Sequence, residues 1–281
     1  MLATTATPRE REFVLRDEEF AAIRALVRQH TGISLSPAKR ELVYSRLVRR
    51  LRKLGLPSFS AYLSRLEAGD PAEFEEFTNA LTTNLTAFFR ESHHFDFLAN
   101  TVLPALVERN AATRRIRIWS AGCSTGEEPY SIAMTLLENT ANLRGWDIRV
   151  LATDLDSNVV AHAATGVYRE ERFEKMPGAR RQRWFTARPD GQWQAKPELQ
   201  EIIRFKGLNL MHDWPMRGQF DVIFCRNVVI YFDKETQRNL FMRMARLQRP
   251  GDWLLIGHSE SLFKVSDQYQ LVGKTIYRRG P

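Results

Sequence analysis

The sequence predicts an α/β protein in two parts: a small all-α N-terminal domain, then a doubly wound, Rossmann-like sheet domain with a small antiparallel hairpin insertion. Three observations predict it. Apolar residues recur at helical spacing through residues 13–85. From residue 102 short apolar runs of strand type alternate with helical patterns, which is how a sheet covered by helices on both faces is built. One stretch, residues 115–134 (R-I-R-I-W-S-A-G-C-S-T-G-E-E-P-Y-S-I-A-M), reads as strand, glycine-bearing turn and helix, the unit that brings α/β backbones close to a cofactor. The expected division is a lead without fixed structure over 1–12, a helical domain over 13–85, a joint over 86–101, and the sheet domain over 102–281 with its hairpin at about 180–200.

Composition bounds the function. With 43% hydrophobic and 26% charged residues, a chain of 281 residues has an ordinary globular mixture and can bury a core. No run of about 18 apolar residues occurs, so no membrane insertion is expected. The start, M-L-A-T-T-A-T-P-R-E-R-E, lacks the apolar core of a signal peptide. The two cysteines, Cys123 and Cys225, both fall at expected strand ends, which fits a reducing cytoplasm better than a disulfide framework. A net charge of +8 points to an acidic partner, either nucleic acid or a carboxylate-rich protein surface.

The helical part begins where Asp17 can cap a helix with Phe20, Ile23, Ala25, Leu26 and Val27 as its apolar positions, ending near Gly32. Ser36-Pro37 opens a second helix over 38–54, stopped by Gly55 and Pro57. At 100° per residue, Val43, Tyr44, Leu47, Val48, Leu51 and Leu54 fall on one side, and Arg46, Arg49, Arg50, Arg52 and Lys53 on the other. Charge runs are usually solvated faces. Five cations without an acid among them would repel one another unless something acidic covers them. Residues 58–69 and 71–81 read as two more short helices.

The joint, L-T-T-N-L-T-A-F-F-R-E-S-H-H-F-D-F, interleaves polar and aromatic residues. Asn84, Thr86 and Arg90 can face a site, while Phe88, Phe89, Phe95 and Phe97 suit the core. His93 and His94 are adjacent and cannot both serve one metal from one helix face. No His/Cys/Asp/Glu cluster has metal-ligand spacing, so no metal is expected.

In the central stretch, residues 116–121 form the strand and 122–126 the turn. The helix that follows has Pro129 in its first turn and Ile132, Ala133, Leu136 and Leu137 on one face. The turn has neither the G-x-G-x-x-G spacing nor the G-K-[ST] ending of a phosphate loop, and it places Glu127 and Glu128 where a phosphate would sit. Two like charges about 4 Å apart cost roughly 4 kcal/mol at an effective dielectric near 20. That argues against a pyrophosphate and for a cationic cofactor such as S-adenosylmethionine, with its sulfonium and ammonium. The plain alternative is that both acids simply complement the helix dipole.

The second strand, 148–153, ends in Asp154-Leu155-Asp156, and a carboxylate at that tip is where ribose hydroxyls are accepted. Either Asp154 or Asp156 could instead only cap the helix over 158–164. Further strands are expected at 201–208, leading to Asn209-Leu210, and at 220–226, leading to Asn227 and Tyr231. Others follow at 253–257 and within 269–278, with a helix over 234–247 between. Residues 180–200, with the turn signal Pro189-Asp190-Gly191, read as the hairpin excursion.

Taken in order, T-T-N-L-T-A-F-F-R-E, W-S-A-G-C-S-T-G-E-E-P-Y-S-I-A, A-T-D-L-D, F-D-V-I-F-C-R-N-V-V-I-Y-F-D and G-H-S-E resemble the CheR family of chemoreceptor glutamate methyltransferases over nearly the whole chain. The resemblance implies a methyltransferase sheet domain. It also implies methyl transfer from S-adenosylmethionine to receptor glutamates as γ-methyl esters, with S-adenosylhomocysteine as product. Carried over by motif, Asn84, Thr86 and Arg90 would reach the cofactor beside the Gly122 turn. Glu128 would take or adjoin its ammonium, Asp154 its ribose, Asn209-Leu210 the adenine and Arg226-Asn227 the methionine end. Arg90 and Tyr231 would flank the transferring methyl as the catalytic pair. Arg46, Arg49, Arg50 and Lys53 would meet the acidic cytoplasmic helices of the receptor. Some members bind a tethering peptide of the receptor tail at the hairpin, and the compactness of this one argues against that here. A monomer in the cytoplasm, without nucleic acid, is the expected setting.

Two rival classes stand beside this reading. A nucleic-acid methyltransferase would suit the basic balance, but the Asn227…Tyr231 segment lacks the prolines and the spacing of the amino-methylating loop. A non-catalytic cofactor-sensing module would not need Arg90 and Tyr231.

Overall fold

The computed structural model describes residues 12–140, 143 and 145–281. The lead expected over 1–12 lies, but for Glu12, outside the described residues. The chain forms two compact units, one of residues up to 30 with 34–81, the other of 31–33 with 82–281. Residues 82–85, expected in the helical domain, thus belong with the sheet.

The helical unit contains α1 (Asp17–Thr31), α2 (Arg40–Leu54), α3 (Phe59–Glu67) and α4 (Pro71–Leu81). Its caps follow from the sequence. Ser58 accepts from the Ala61 N–H at 3.1 Å, Asp70 accepts from the Glu73 N–H at 3.1 Å, and Gly55 closes α2 at φ 64°. Ile23, Val43, Leu47, Leu51, Phe59 and Tyr62 are completely buried and form the core. The cationic face of α2 is less uniform than expected. Arg50 turns inward, is 9% exposed, and donates to both oxygens of buried Glu73 (3.1 and 2.5 Å) and to Glu76 (2.6 Å). Tyr62 donates to the same Glu73 at 2.8 Å. Arg50 therefore braces α2 against α4 and is not part of an exposed stripe. The counter-charge came from another helix, which a count along α2 alone misses. Arg52 pairs with Glu12, and Arg49 and Lys53 remain exposed.

The second unit opens with α5 (His93–Phe97), one π-helical turn and α6 (Leu103–Arg109). It continues with β1 (Arg115–Ala121), α7 (Glu127–Asn139), β2 (Asp147–Asp154), α8 (Ser157–Thr165), β3 (Val167–Arg169), α9 (Gly178–Trp184), β4 (Phe185–Ala187), β5 (Gln192–Ala195), α10 (Pro197–Ile202) and β6 (Ile203–Gly207). The last elements are β7 (Val222–Cys225), α11 (Lys234–Arg246), β8 (Trp253–Ile256), β9 (Tyr269–Gly273) and β10 (Ile276–Arg279). The main sheet has the order β6-β2-β1-β7-β8-β10-β9, parallel through β8 with an antiparallel edge. The alternation within strands sorts the two faces. Ile116, Ile118, Phe224 and Leu255 join Ile132 and Leu136 of α7 in one core, while Trp119, Ile223 and Leu254 join Leu240 and Phe241 of α11 in the other.

Two expectations need amending. The excursion is a three-stranded sheet in the order β3-β5-β4, not a lone hairpin. The β4–β5 hairpin turns at Pro189-Asp190-Gly191 as read, but residues 167–169 add a third strand too short to signal itself. The run at 269–278 is two strands, because the chain reverses at Lys274-Thr275 with Thr275 at φ 55°. The strand order reverses between β1 and β7, and ligands of such sheets lie over the carboxyl ends of the strands at that point.

Candidate active site

The turn after β1 closes onto β2. The N–H groups of Gly122 and Cys123 both donate to the Thr153 carbonyl, at 2.8 and 2.9 Å. Gly122 sits at φ 105°, and a Cβ there would lie 2.3 Å from Cγ2 of Val228, so no side chain fits. The next residue but one, Ser124 (φ 49°), donates its N–H to Asp154 at 2.7 Å. The other Asp154 oxygen accepts from the Asp156 N–H at 3.0 Å. Burial raises the Asp154 carboxyl, and these N–H bonds work against it. Asp156 is the residue that caps α8, accepting from the Asn158 N–H at 3.0 Å, and it also takes Thr82 (2.8 Å) and Asn84 (2.7 Å). The two acids left open by the sequence thus divide their work: Asp156 anchors backbone and joint, while Asp154 lines the turn.

The joint crosses these strand ends. The Asn84 carbonyl accepts from the Ser124 hydroxyl at 3.1 Å, the Thr86 carbonyl accepts from Arg172 at 3.2 Å, and the Phe89 N–H donates to Ser131 at 2.9 Å. Arg90 donates to the Leu85 carbonyl at 2.9 Å, and its own carbonyl accepts from Arg226. Phe88 and Phe95 are core residues, as expected.

Glu127 and Glu128 do not act as a pair. Glu127, fully buried, accepts from Thr125 (2.6 Å) and from Arg172 (2.7 Å). Glu128 accepts from Ser120 (2.8 Å) and from Arg226 (2.9 Å). The like-charge argument drawn from their adjacency is therefore incomplete, because each carboxylate has its own arginine. Burial pushes the Glu128 carboxyl up, and Arg226 opposes that shift. Arg226 reaches beyond Glu128 to Glu91 at 3.4 Å.

Asn227 follows at φ 58°, and Tyr231 ends a single turn of 3₁₀ helix at Val229–Tyr231. Glu260 holds this loop: its carboxylate accepts from the N–H groups of Gly257, Asn227, Val229 and Ile230, at 2.5, 2.9, 2.9 and 3.3 Å. Across the sheet, the Leu208 N–H donates to the Asp154 carbonyl at 2.8 Å, so Asn209 and half-buried Leu210 follow β6 beside Asp154.

Asn84, Thr86, Arg90, Gly122, Asn209, Leu210, Arg226, Asn227 and Tyr231 lie on the connections between the main elements, with Asp154 the last residue of β2 and Glu128 in the first turn of α7. The cations of α2 belong to the other unit. Sequence reasoning missed Arg172, and took Glu91, His258 and Glu260 only as parts of motifs. A carboxylate on the loop after β8 could have flagged Glu260, whereas nothing local marks Arg172. Among the described residues no group of His, Cys, Asp and Glu is placed to hold a metal ion, and no helix is long and apolar enough to cross a membrane.

Two carboxylates, half-buried Asp154 and buried Glu128, stand on either side of the turn at Gly122, onto which Val228 packs. Comparison with known proteins identifies the family. Residues 84–278 match the family described as CheR methyltransferase, SAM binding domain, and residues 18–82 match CheR methyltransferase, all-alpha domain. Chemotaxis protein methyltransferase 2 of Pseudomonas aeruginosa is 44% identical, covering 97% of this chain and 98% of its own. Chemotaxis protein methyltransferase of Escherichia coli is 42% identical, covering 94% and 91%. That of Klebsiella aerogenes is 44% identical, covering 94% and 90%. With both domains matched and the cofactor-binding one built around this turn, the chain belongs to the CheR family of S-adenosylmethionine-binding methyltransferases.

Proposed function

We propose that the protein methylates glutamate side chains of bacterial chemoreceptors, forming methyl esters. The observation that supports this most is the tie between the joint and the end of β7. Arg226 hydrogen-bonds the Arg90 main chain, and Tyr231 lies on the loop that follows Arg226. A guanidinium and a phenol thus sit on adjoining segments beside the Glu128 end of the site.

S-adenosylmethionine, when bound, supplies an electrophilic methyl group. In this reading Asp154 accepts from its ribose, Glu128 from its ammonium, and Asn209-Leu210 border its adenine. A substrate carboxylate is already ionised near neutral pH, so the protein needs no general base. Its task is to orient and dehydrate two oppositely charged reactants, and alignment alone can supply several kcal/mol of a barrier. Arg90 holds the carboxylate through paired N–H bonds. The hydroxyl of half-buried Tyr231 orients the attacking oxygen. The receptor's acidic helices are met by Arg49 and Lys53, with Arg46 alongside.

The test is to incubate the protein with methyl-labelled S-adenosylmethionine and membranes containing chemoreceptors. Base-labile label on the receptor is expected. Arg90→Ala and Tyr231→Phe should each lower it steeply, while Tyr231→Phe keeps near-normal cofactor affinity. Label that survives base, or appears on added DNA or RNA instead, would sink the proposal.

A further inference from the structure

Arg90 is flanked by two residues in the left-handed region, Phe89 at φ 53° and Glu91 at φ 58°. Non-glycine residues persist there only where their surroundings hold them. Phe89 is held by its N–H bond to Ser131, by Phe95 edge-on at 5.2 Å, and by the Arg180 guanidinium 4.0 Å above its ring. Glu91 is held by charge. Its Oε1 meets Nδ1 of His258 at 2.9 Å, and its Oε2 lies 3.4 Å from Arg226 and 3.7 Å from Nδ1 of His94. The carboxylate is 11% exposed, yet Oε2 makes no hydrogen bond. Nothing in the mechanism uses this group, although it adjoins the residue that meets the substrate.

Arg226 explains why its placement matters. One guanidinium meets three groups: it hydrogen-bonds Glu128 on α7 and the Arg90 carbonyl, and it pairs by charge with Glu91. Glu91 therefore pulls from the joint side on a group that Glu128 pulls from the cofactor side. His258, on the loop after β8, anchors Glu91 from a third direction. We propose that Glu91 is a positioning residue, fixing Arg90 through Arg226 and His258 in the orientation from which Arg90 meets the substrate carboxylate. This rests on the role of Arg90 given above. Burial by itself pushes the Glu91 carboxyl up, but His258 and Arg226 outweigh it and hold it below the usual range, so it carries its charge wherever the enzyme works.

The experiment measures receptor methylation and S-adenosylhomocysteine binding for Arg90→Ala, Glu91→Gln, His258→Ala and the double variant Glu91→Gln/His258→Ala. Glu91→Gln should lower kcat by about 10- to 100-fold, the scale of a misplaced orienting group, with the dissociation constant of S-adenosylhomocysteine moved far less. His258→Ala should give a smaller loss in the same direction, and the double variant should be no worse than Glu91→Gln, because both act through one carboxylate. Losses that multiply, or a Glu91→Gln defect seen mainly in cofactor binding, overturn the proposal. Should Glu91→Gln fail to fold, His258→Ala carries the test, since that ring is 64% exposed and lies outside the core; wild-type kcat in it would then refute the proposal. Full activity in Arg90→Ala would reject the reading of Arg90 and this inference with it. An inactive Arg90→Ala beside a wild-type Glu91→Gln would reject this inference alone.

Discussion

Gly122→Ala should damage the cofactor site by a mechanism that a second substitution repairs. The backbone there stands at φ 105°, and the added Cβ would lie 2.3 Å from Val228 Cγ2, about 1 Å inside the closest ordinary carbon–carbon contact. Two costs follow. The conformation itself costs an L-residue about 1–3 kcal/mol. Overpacking against Val228 costs about 1–3 kcal/mol more, unless the loop carrying Asn227 shifts. The sum, about 2–6 kcal/mol, is a large part of the stability of a domain. A loop shift would relieve the clash by moving Asn227, so part of the damage should appear as weaker binding. The assay pairs urea unfolding with calorimetric titration of S-adenosylhomocysteine, for Gly122→Ala, Val228→Ala and the double variant. Val228→Ala removes the clashing methyl, so the double variant should regain the steric share and keep the conformational one. If the two substitutions simply add, the contact with Val228 does not hold the turn, and the reasoning fails.

Asp154→Ala should weaken S-adenosylhomocysteine at least about tenfold, since hydrogen bonds to a charged acceptor contribute about 1.5–3 kcal/mol each; unchanged affinity in a folded variant would remove Asp154 from the site. Arg49→Glu with Lys53→Glu should raise the Michaelis constant for receptor and flatten its salt dependence, with cofactor affinity constant; unchanged receptor kinetics would make these two a solvated face. Arg50→Ala should instead destabilise the helical unit by about 3–5 kcal/mol, because Glu73 is left buried without its cation, and a denaturation midpoint near wild type would contradict that. Burial, helped by Arg226, pushes His94 down to about 3. Between there and about 6.5 the unfolded chain binds a proton that the folded one does not, so stability is full at neutral pH and falls as the solution is acidified, by about 1.4 kcal/mol per pH unit. His94→Asn should flatten that acid limb, and equal slopes in both proteins would sink the assignment.

The fold was legible where its signal is local. The strand-turn-helix unit around Gly122, the carboxylate at the tip of β2 and the Asn227–Tyr231 loop are each contiguous in sequence, and each lies at a strand end as read. What was not legible is pairing. Glu127 with Arg172, Glu128 with Arg226, Arg50 with Glu73 and Glu91 with His258 join residues far apart in the chain. The cationic face of α2 looked unbalanced for the same reason, since helical periodicity reports angle around one axis and not what packs against it. Strand β3 escaped because three residues carry no period.

The order of the strands also bears on how the site comes into being. β1 and β2 are successive strands of the sheet, so the turn at Gly122 can close on Thr153 and Asp154 within one crossover. β7 pairs with β1 only after the three-stranded excursion and β6 have been traversed. Loop-closure entropy weighs more heavily on that second pairing, and distant pairings form slowly. Pulsed amide exchange during refolding should accordingly protect β1 and β2 before β7. The turn that ties Ser124 to Asp154 then exists before Arg226 arrives, and the bonds of Arg226 to Glu128 and to the Arg90 carbonyl form afterwards.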